Sequence, residues 1–157
     1  MKEEILMFLD GNFDRPVIEM KNMSGILALI DTGARFPVWL SDVESLEALG
    51  GKLYRRGVSY SGIGGETKGD IYKLPSLIIG DGTHNMIYPE FPIVTNSDLD
   101  DAPFQMILSA TMLHNLEYTI NDKFHTLIIR IPDGESNVRN AIVRLASGEY
   151  QVLFASD

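Results

Sequence analysis

The 157 residues include no cysteine, which excludes a disulfide framework and any thiol chemistry, and removes the need for an oxidising compartment. Basic residues are few: 13 Lys and Arg stand against 22 Asp and Glu, a formal charge of −9. Such a surface is the wrong sign for nucleic acid or an anionic membrane, both of which need cations. No apolar run approaches the roughly 20 residues of a membrane span. The first ten residues are too acidic, and their apolar run too short, for a signal peptide. A soluble cytoplasmic protein is expected. The only histidines, His84, His114 and His125, lie far apart with no metal-ligand spacing, and neither a metal nor an organic cofactor is expected.

What the chain does contain is ordinary for a folded protein. It is 45% hydrophobic and 22% charged, with 14 Gly and 7 Pro spread along its length, enough for one domain with a real core. Strands are predicted at 5–9, 17–20, 23–30 and 36–40, the first two forming a hairpin across the turn residues 10–14. Ser41-Asp42-Val43-Glu44 reads as a capping box, and helical spacing from Val43 to Leu49 ends at Gly50-Gly51. From Lys52 to Thr95 the pattern is strand and turn. Phe104 to Leu108 reads as a core strand, and Ser109 or Thr111 as the cap of a second short helix through Asn115. A hairpin is expected from Leu116–Ile120 to Phe124–Ile131, and another from Val138–Leu145 to Tyr150–Phe154. The reading is mostly β with two short helices.

Three stretches stand out chemically. The apolar run Ile26 to Ile30 delivers a carboxylate, Asp31, into the turn Asp31-Thr32-Gly33-Ala34, and a buried acid is costly unless bonded, paired or put to chemical use. A small residue such as Gly33 lets that turn close. Gly62-Ile63-Gly64-Gly65 is the glycine-rich tip of a hairpin with one apolar residue at its end. Ile107-Leu108-Ser109-Ala110-Thr111-Met112-Leu113 joins a strand to a short helix, with Leu116 to Asn121 and Thr126 to Ile129 following.

In this order and spacing, over about residues 15 to 131, the chain resembles the retropepsin-like aspartic proteases. The resemblance implies a closed acid-protease β-barrel with two short helices and a flap hairpin, the residues from 132 to 157 forming a hairpin extension of a single domain. It implies aspartic endopeptidase activity on extended peptides, apolar beside the scissile bond. Asp31 would be the catalytic residue. Thr32, Gly33 and Ala34 would support the catalytic loop, and Gly62, Ile63, Gly64 and Gly65 would close over the substrate as a flap. This chemistry needs two carboxylates sharing a proton, one activating water and one protonating the carbonyl oxygen. The chain has no second Asp-Thr-Gly or Asp-Ser-Gly, and the activity therefore implies a homodimer with Asp31 of each copy on the two-fold axis. Ala34 offers no side-chain donor to the charged pair, which moves the expected working pH toward neutral. An optimum well below pH 4 would contradict this.

The sequence departs from the family at several points, among them Thr111, where relatives often carry an acid or Asn at the helix start and which can still cap. Ser109 replaces the glycine after the hydrophobic pair. Arg35 stands where retroviral members have an acid, and Ala110 where they have arginine, so that ion pair cannot form in the same way. The 132–157 hairpin is either a substitute dimer element or a cover for its own sheet. The rival reading is a non-catalytic module that keeps the fold to bind peptide or to dimerise.

Overall fold

A computed structural model describes residues 3–62, 65–82, 84–96, 102–113, 116–131, 141–147 and 149–153. In chain order the elements are β1 (Glu3–Phe8), β2 (Val17–Glu19), β3 (Leu27–Asp31), β4 (Val38–Trp39), α1 (Val43–Ala48), β5 (Lys52–Gly62), β6 (Gly65–Gly80) and β7 (Asn85–Thr95). After these come β8 (Met106–Ser109), a 3₁₀ turn (Ala110–Leu113), β9 (Glu117–Asn121), β10 (Thr126–Ile131), β11 (Ala141–Arg144) and β12 (Tyr150–Leu153). The protein is mostly β.

The strands form two sheets, one of three strands in the order β1-β10-β9 and one of nine whose main path runs β11-β12-β7-β4-β8-β3-β2. Among the described residues these do not close into the expected barrel. The predicted β1–β2 hairpin does not form, because β1 pairs along its whole length with β10 and β2 pairs with β3. Asp10 N–H donates to the Val17 carbonyl, at 2.7 Å, between the two segments. The described part of the second predicted helix is a 3₁₀ turn that starts directly at the end of β8. Its remaining predicted positions, 114 and 115, lie outside the described residues, as do 97–101.

Strand alternation decides which residues face which core. In the nine-stranded sheet Ala28, Ile30, Trp39, Ile93, Met106 and Leu108 enter the larger cluster, shared with the three-stranded sheet. Leu29, Val38, Leu40, Val94 and Ile107 face the other way into a smaller cluster. Helix α1 is capped by Asp42 rather than Ser41: Ser45 donates its N–H (3.0 Å) and its hydroxyl (2.6 Å) to the Asp42 carboxylate. These bonds hold the Asp42 carboxyl below its usual range. The fully buried Trp39 donates its indole N–H to the Asp42 carbonyl at 2.8 Å, tying the helix start to β4.

Tyr88, on β7, is wholly buried and donates its hydroxyl to the Met112 carbonyl at 2.9 Å. This bond ties the 3₁₀ turn after β8 to the long strand β7. Burial pushes the phenol far above its ordinary value of 10.0. A raised native value means that the neutral form stabilises the fold, fully below pH 10 and progressively less as pH rises beyond it. Tyr88→Phe is expected to lower unfolding free energy by about 1 kcal/mol at neutral pH and to reduce the loss of stability above pH 10. Denaturant titrations at neutral and alkaline pH measure both.

Candidate active site

Asp31 is the last residue of β3, and alternation puts it on the same face as Leu27 and Leu29, the face of the smaller cluster. Its neighbour is set by an unusual strand order. β8 lies between β3 and β4, parallel to β3 with Asp31 opposite Ser109, and antiparallel to β4. The chain from Thr32 to Pro37 therefore bridges from β3 to β4 across the end of β8. That crossing holds the acid at the sheet's end, partly exposed, rather than inside it.

The turn itself is closed locally. Asp31 Oδ1 accepts the Gly33 N–H at 2.9 Å, and the Asp31 carbonyl accepts the Ala34 N–H at 3.2 Å. Thr32 and Gly33 are exposed, while Ala34 packs against the smaller cluster. Among the described residues nothing requires a glycine at 33. A Cβ added there would meet only Asp31 Oδ1, at an ordinary 3.4 Å. Ser109 is buried, and its hydroxyl shares a hydrogen bond with that of Thr111. The polar side chain at this position thus has a partner within its own segment.

The hairpin β5–β6 packs, through Tyr60 and Ile71, on the same smaller cluster as Ala34 of the turn. Its strands pair out to Gly62 with Gly65, past two register shifts between Leu53 and Val58. Ile63 and Gly64, the expected tip, lie outside the described residues. β6 runs beside β7 only from Gly80 back to Ile71, which pairs with Val94, and beyond that point it pairs with β5 alone. The elbow where it leaves the sheet is fastened to Thr95. Asp70 N–H donates to Thr95 Oγ1 (3.0 Å), and the Tyr60 hydroxyl donates to the Thr95 carbonyl (3.2 Å). Tyr60 and Ile71 pack against the smaller cluster alongside Phe36, giving that face an apolar lining next to Asp31.

Gly69 sits at the same elbow so close to the Thr95 carbonyl oxygen that a Cβ would overlap it, with Val94 Cγ2 3.1 Å away. Gly69→Ala must push the hairpin off the sheet, and overpacking against backbone costs about 1–3 kcal/mol. The midpoint of denaturant unfolding is expected to fall accordingly. An unchanged midpoint would mean that the elbow is not seated on Thr95.

The sequence had picked out Asp31, Thr32, Gly33 and Ala34, and in the structure these four form one turn. Thr95 and Gly69 had no signal of their own: a threonine at a strand end and a lone glycine within a long strand stretch are common. Among the described residues no group of three His, Asp or Glu side chains has metal-binding geometry, and no helix is long and apolar enough to cross a membrane.

No protein-family model matches the chain, and no curated protein does. Among solved structures it is similar to a retropepsin-like aspartic protease from Rickettsia conorii, with 21% sequence identity and a TM-score of 0.53. The match covers 83% of this chain and 92% of that one. At this identity the likeness is one of fold, and the fold of this chain is similar to that of a retropepsin-like protease.

Proposed function

We propose that this chain is an aspartic endopeptidase, active as a homodimer in which Asp31 from each copy forms the catalytic pair. The observation that carries the reading is the placement of Asp31, a carboxylate at a strand end on the face of the smaller apolar cluster, against which Tyr60 and Ile71 of the β5–β6 arm also pack. In the pair, one carboxylate takes a proton from water as the water attacks the peptide carbonyl. The other gives its proton to the carbonyl oxygen. Two carboxylates this close cannot both ionise readily, so they share one proton. The hairpin β5–β6, with Gly62, Ile63, Gly64 and Gly65 at its tip, acts as the flap and holds an extended substrate strand. The chain works as one domain, to which the β11–β12 hairpin belongs; residues 132–140 and 154–157 of the expected extension lie outside the described residues. No cofactor enters the reaction.

Two features support a partner copy. The first is Gly33, whose lack of a side chain nothing among the described residues requires; a second loop packed against it would. The second is the open edge of β9. Leu9 N–H donates to the His125 carbonyl at 2.7 Å, continuing the β1–β10 register and fixing its parity. Antiparallel pairing alternates sides, so Thr126, Ile128 and Arg130 bond toward Asn121, Thr119 and Glu117. The N–H and C=O groups of Tyr118 and Ile120 therefore point away from β10, with no partner strand among the described residues. Two copies of β9 related by a two-fold axis at Thr119 would set Tyr118 against the partner's Ile120. Four backbone hydrogen bonds would form, and Glu117 would face the partner's Asn121 rather than another acid. The β11–β12 hairpin suits its other expected role, since β12 pairs in parallel with β7 of its own chain.

Mass spectrometry of a peptide library incubated with the protein tests the reading. Cleavage within extended apolar sequences, with specific activity that rises with protein concentration, is expected. A protein that stays monomeric and cleaves nothing at concentrations well above micromolar would leave only the non-catalytic peptide-binding module.

A further inference from the structure

The five basic residues Lys52, Arg55, Arg56, Lys68 and Lys73 fall within 52–73 against two acids, whereas the rest of the chain carries eight basic residues against twenty acids. The arm β5–β6 is thus a cationic element on an anionic protein. At its base, Lys52 and Lys73 lie directly opposite each other in the β5–β6 register. Like charges so placed destabilise a sheet, and among the described residues neither lysine has an ion pair. The Lys73 ammonium instead lies 4.0 Å from the centre of the Tyr54 ring. Beside them opens a cleft of about 300 Å³, lined by both lysines together with Leu53, Tyr54, Leu74 and Pro75. Glu90, also on the lining, is one of the few non-glycine residues with left-handed backbone, at φ 49°. Strain of this kind is retained where the surroundings over-determine it, often at binding sites. Here it falls opposite Pro75, where β6 and β7 skip a pair between Leu74–Phe91 and Ser76–Pro89.

We propose that this cleft is a binding site for an acidic segment of a protein or peptide. A glutamate or aspartate side chain seats between the Lys52 and Lys73 ammonium groups, and a neighbouring apolar side chain lies on Tyr54 and Leu53. Two cations opposite each other in the strand register, both lining the cleft, select the carboxylate. The exposed Tyr54 and Leu53, otherwise unfavourable on a surface, gain cover from the peptide's apolar residue. The site is distinct from Asp31. It lies at the base of the arm, roughly 30 Å along β5 from its tip, and its occupation needs no hydrolysis. If the peptidase reading holds, the same site selects substrates that carry an acidic stretch away from the cleaved bond. The opposed lysines then explain themselves: repulsion in the free protein is relieved when a carboxylate binds.

The test is fluorescence anisotropy with a fluorescein-labelled peptide of repeated Glu-Leu dipeptides, with the whole chain as receptor. Saturable binding is expected, weakened by salt and by about tenfold or more, near 1.4 kcal/mol, in the double variant Lys52→Ala, Lys73→Ala. Tyr54→Ala should weaken it as well, and Lys123→Ala, on the β9–β10 turn, should leave it unchanged. Lys52→Glu should abolish binding while raising the thermal midpoint of the free protein, because it turns an opposed like pair into an opposite one. The proposal fails if binding is not saturable, or if the double variant binds as well as wild type. It also fails if a single-stranded oligonucleotide of equal charge binds as tightly as the peptide. Loss of peptide hydrolysis in Asp31→Asn with binding intact would leave it standing, and so would failure of the peptidase reading.

Discussion

Asp31→Asn is expected to lower peptide hydrolysis by about 10²–10⁴-fold, the range in which a positioned acid–base group contributes, with little change in stability. The second half of that expectation follows from the turn. Asp31 is partly exposed, and its carboxylate accepts the Gly33 N–H. An asparagine oxygen accepts the same bond, so the turn keeps its shape while the amide loses the ability to exchange a proton with water. Circular dichroism and thermal unfolding that match the wild type, together with lost hydrolysis, would assign the loss to chemistry. Equal hydrolysis by both proteins would remove the enzyme reading. A mixing experiment extends the result to the dimer. When the Asp31→Asn chain is added at threefold excess to a fixed amount of wild type and subunits exchange, activity should fall to about a quarter, because only wild-type pairs hold two acids. Activity that stays constant on mixing would mean that each chain works alone.

Thr119→Lys is expected to separate the dimer and, with it, the activity. In the proposed pairing Thr119 lies on the two-fold axis, where its side chain faces its own copy at a non-hydrogen-bonded pair about 4.5 Å apart between Cα atoms. Two lysines there would repel each other, and Arg130, whose Nη1 donates to Thr119 Oγ1 at 2.9 Å, adds a further positive group on each side. The fold should tolerate the change, since Thr119 is exposed and its bond with Arg130 is at the surface. Sedimentation velocity should show a shift to monomer, with hydrolysis recovered only at much higher protein concentration. Thr119→Ser, which keeps the hydroxyl, should behave as wild type. A dimer of undiminished strength in Thr119→Lys would mean that the copies meet through another surface, leaving the role of Asp31 to the mixing experiment.

The two experiments probe different links. The first asks whether a carboxylate is needed at residue 31, the second whether a second one arrives along β9. Their results combine cleanly. A Thr119→Lys protein that is monomeric, folded and inactive, with an Asp31→Asn protein that is dimeric, folded and inactive, leaves a shared pair as the simplest account.

Much of the architecture was readable before the fold was known, where a local signal and its consequence lie close together. The apolar run before Asp31, the turn residues after it and the hairpin from Leu116 to Ile131 all carry their pattern within a dozen or so residues. β3, its turn and the β9–β10 pair follow that pattern. The reading failed where distant segments compete for the same strand edge. β1 and β2 looked like neighbours across a good turn, yet β1 finds a six-residue register with β10, at the far end of the chain. The cap on α1 moved from Ser41 to Asp42 for a smaller reason: Ser45, three residues on, bonds the aspartate through both its N–H and its hydroxyl. Of the second predicted helix, Ala110–Leu113 is a 3₁₀ turn rather than α-helix, a choice local spacing did not reveal.

By itself, then, the amino-acid order settled what each segment can be: which faces are apolar, where the backbone can turn sharply, and that one acid follows a strand. Only the tertiary arrangement settled what stands beside that acid. Ser109 came to Asp31 because β8 slid between β3 and β4, and Thr95 became the anchor of the arm because β6 leaves the sheet there. Lys52 met Lys73 for the same kind of reason, a register fixed by strands pairing across a long hairpin. Period and propensity act over a few residues, whereas a neighbour across a sheet is chosen by the burial of whole faces, and that sum is not written in any one stretch of the chain.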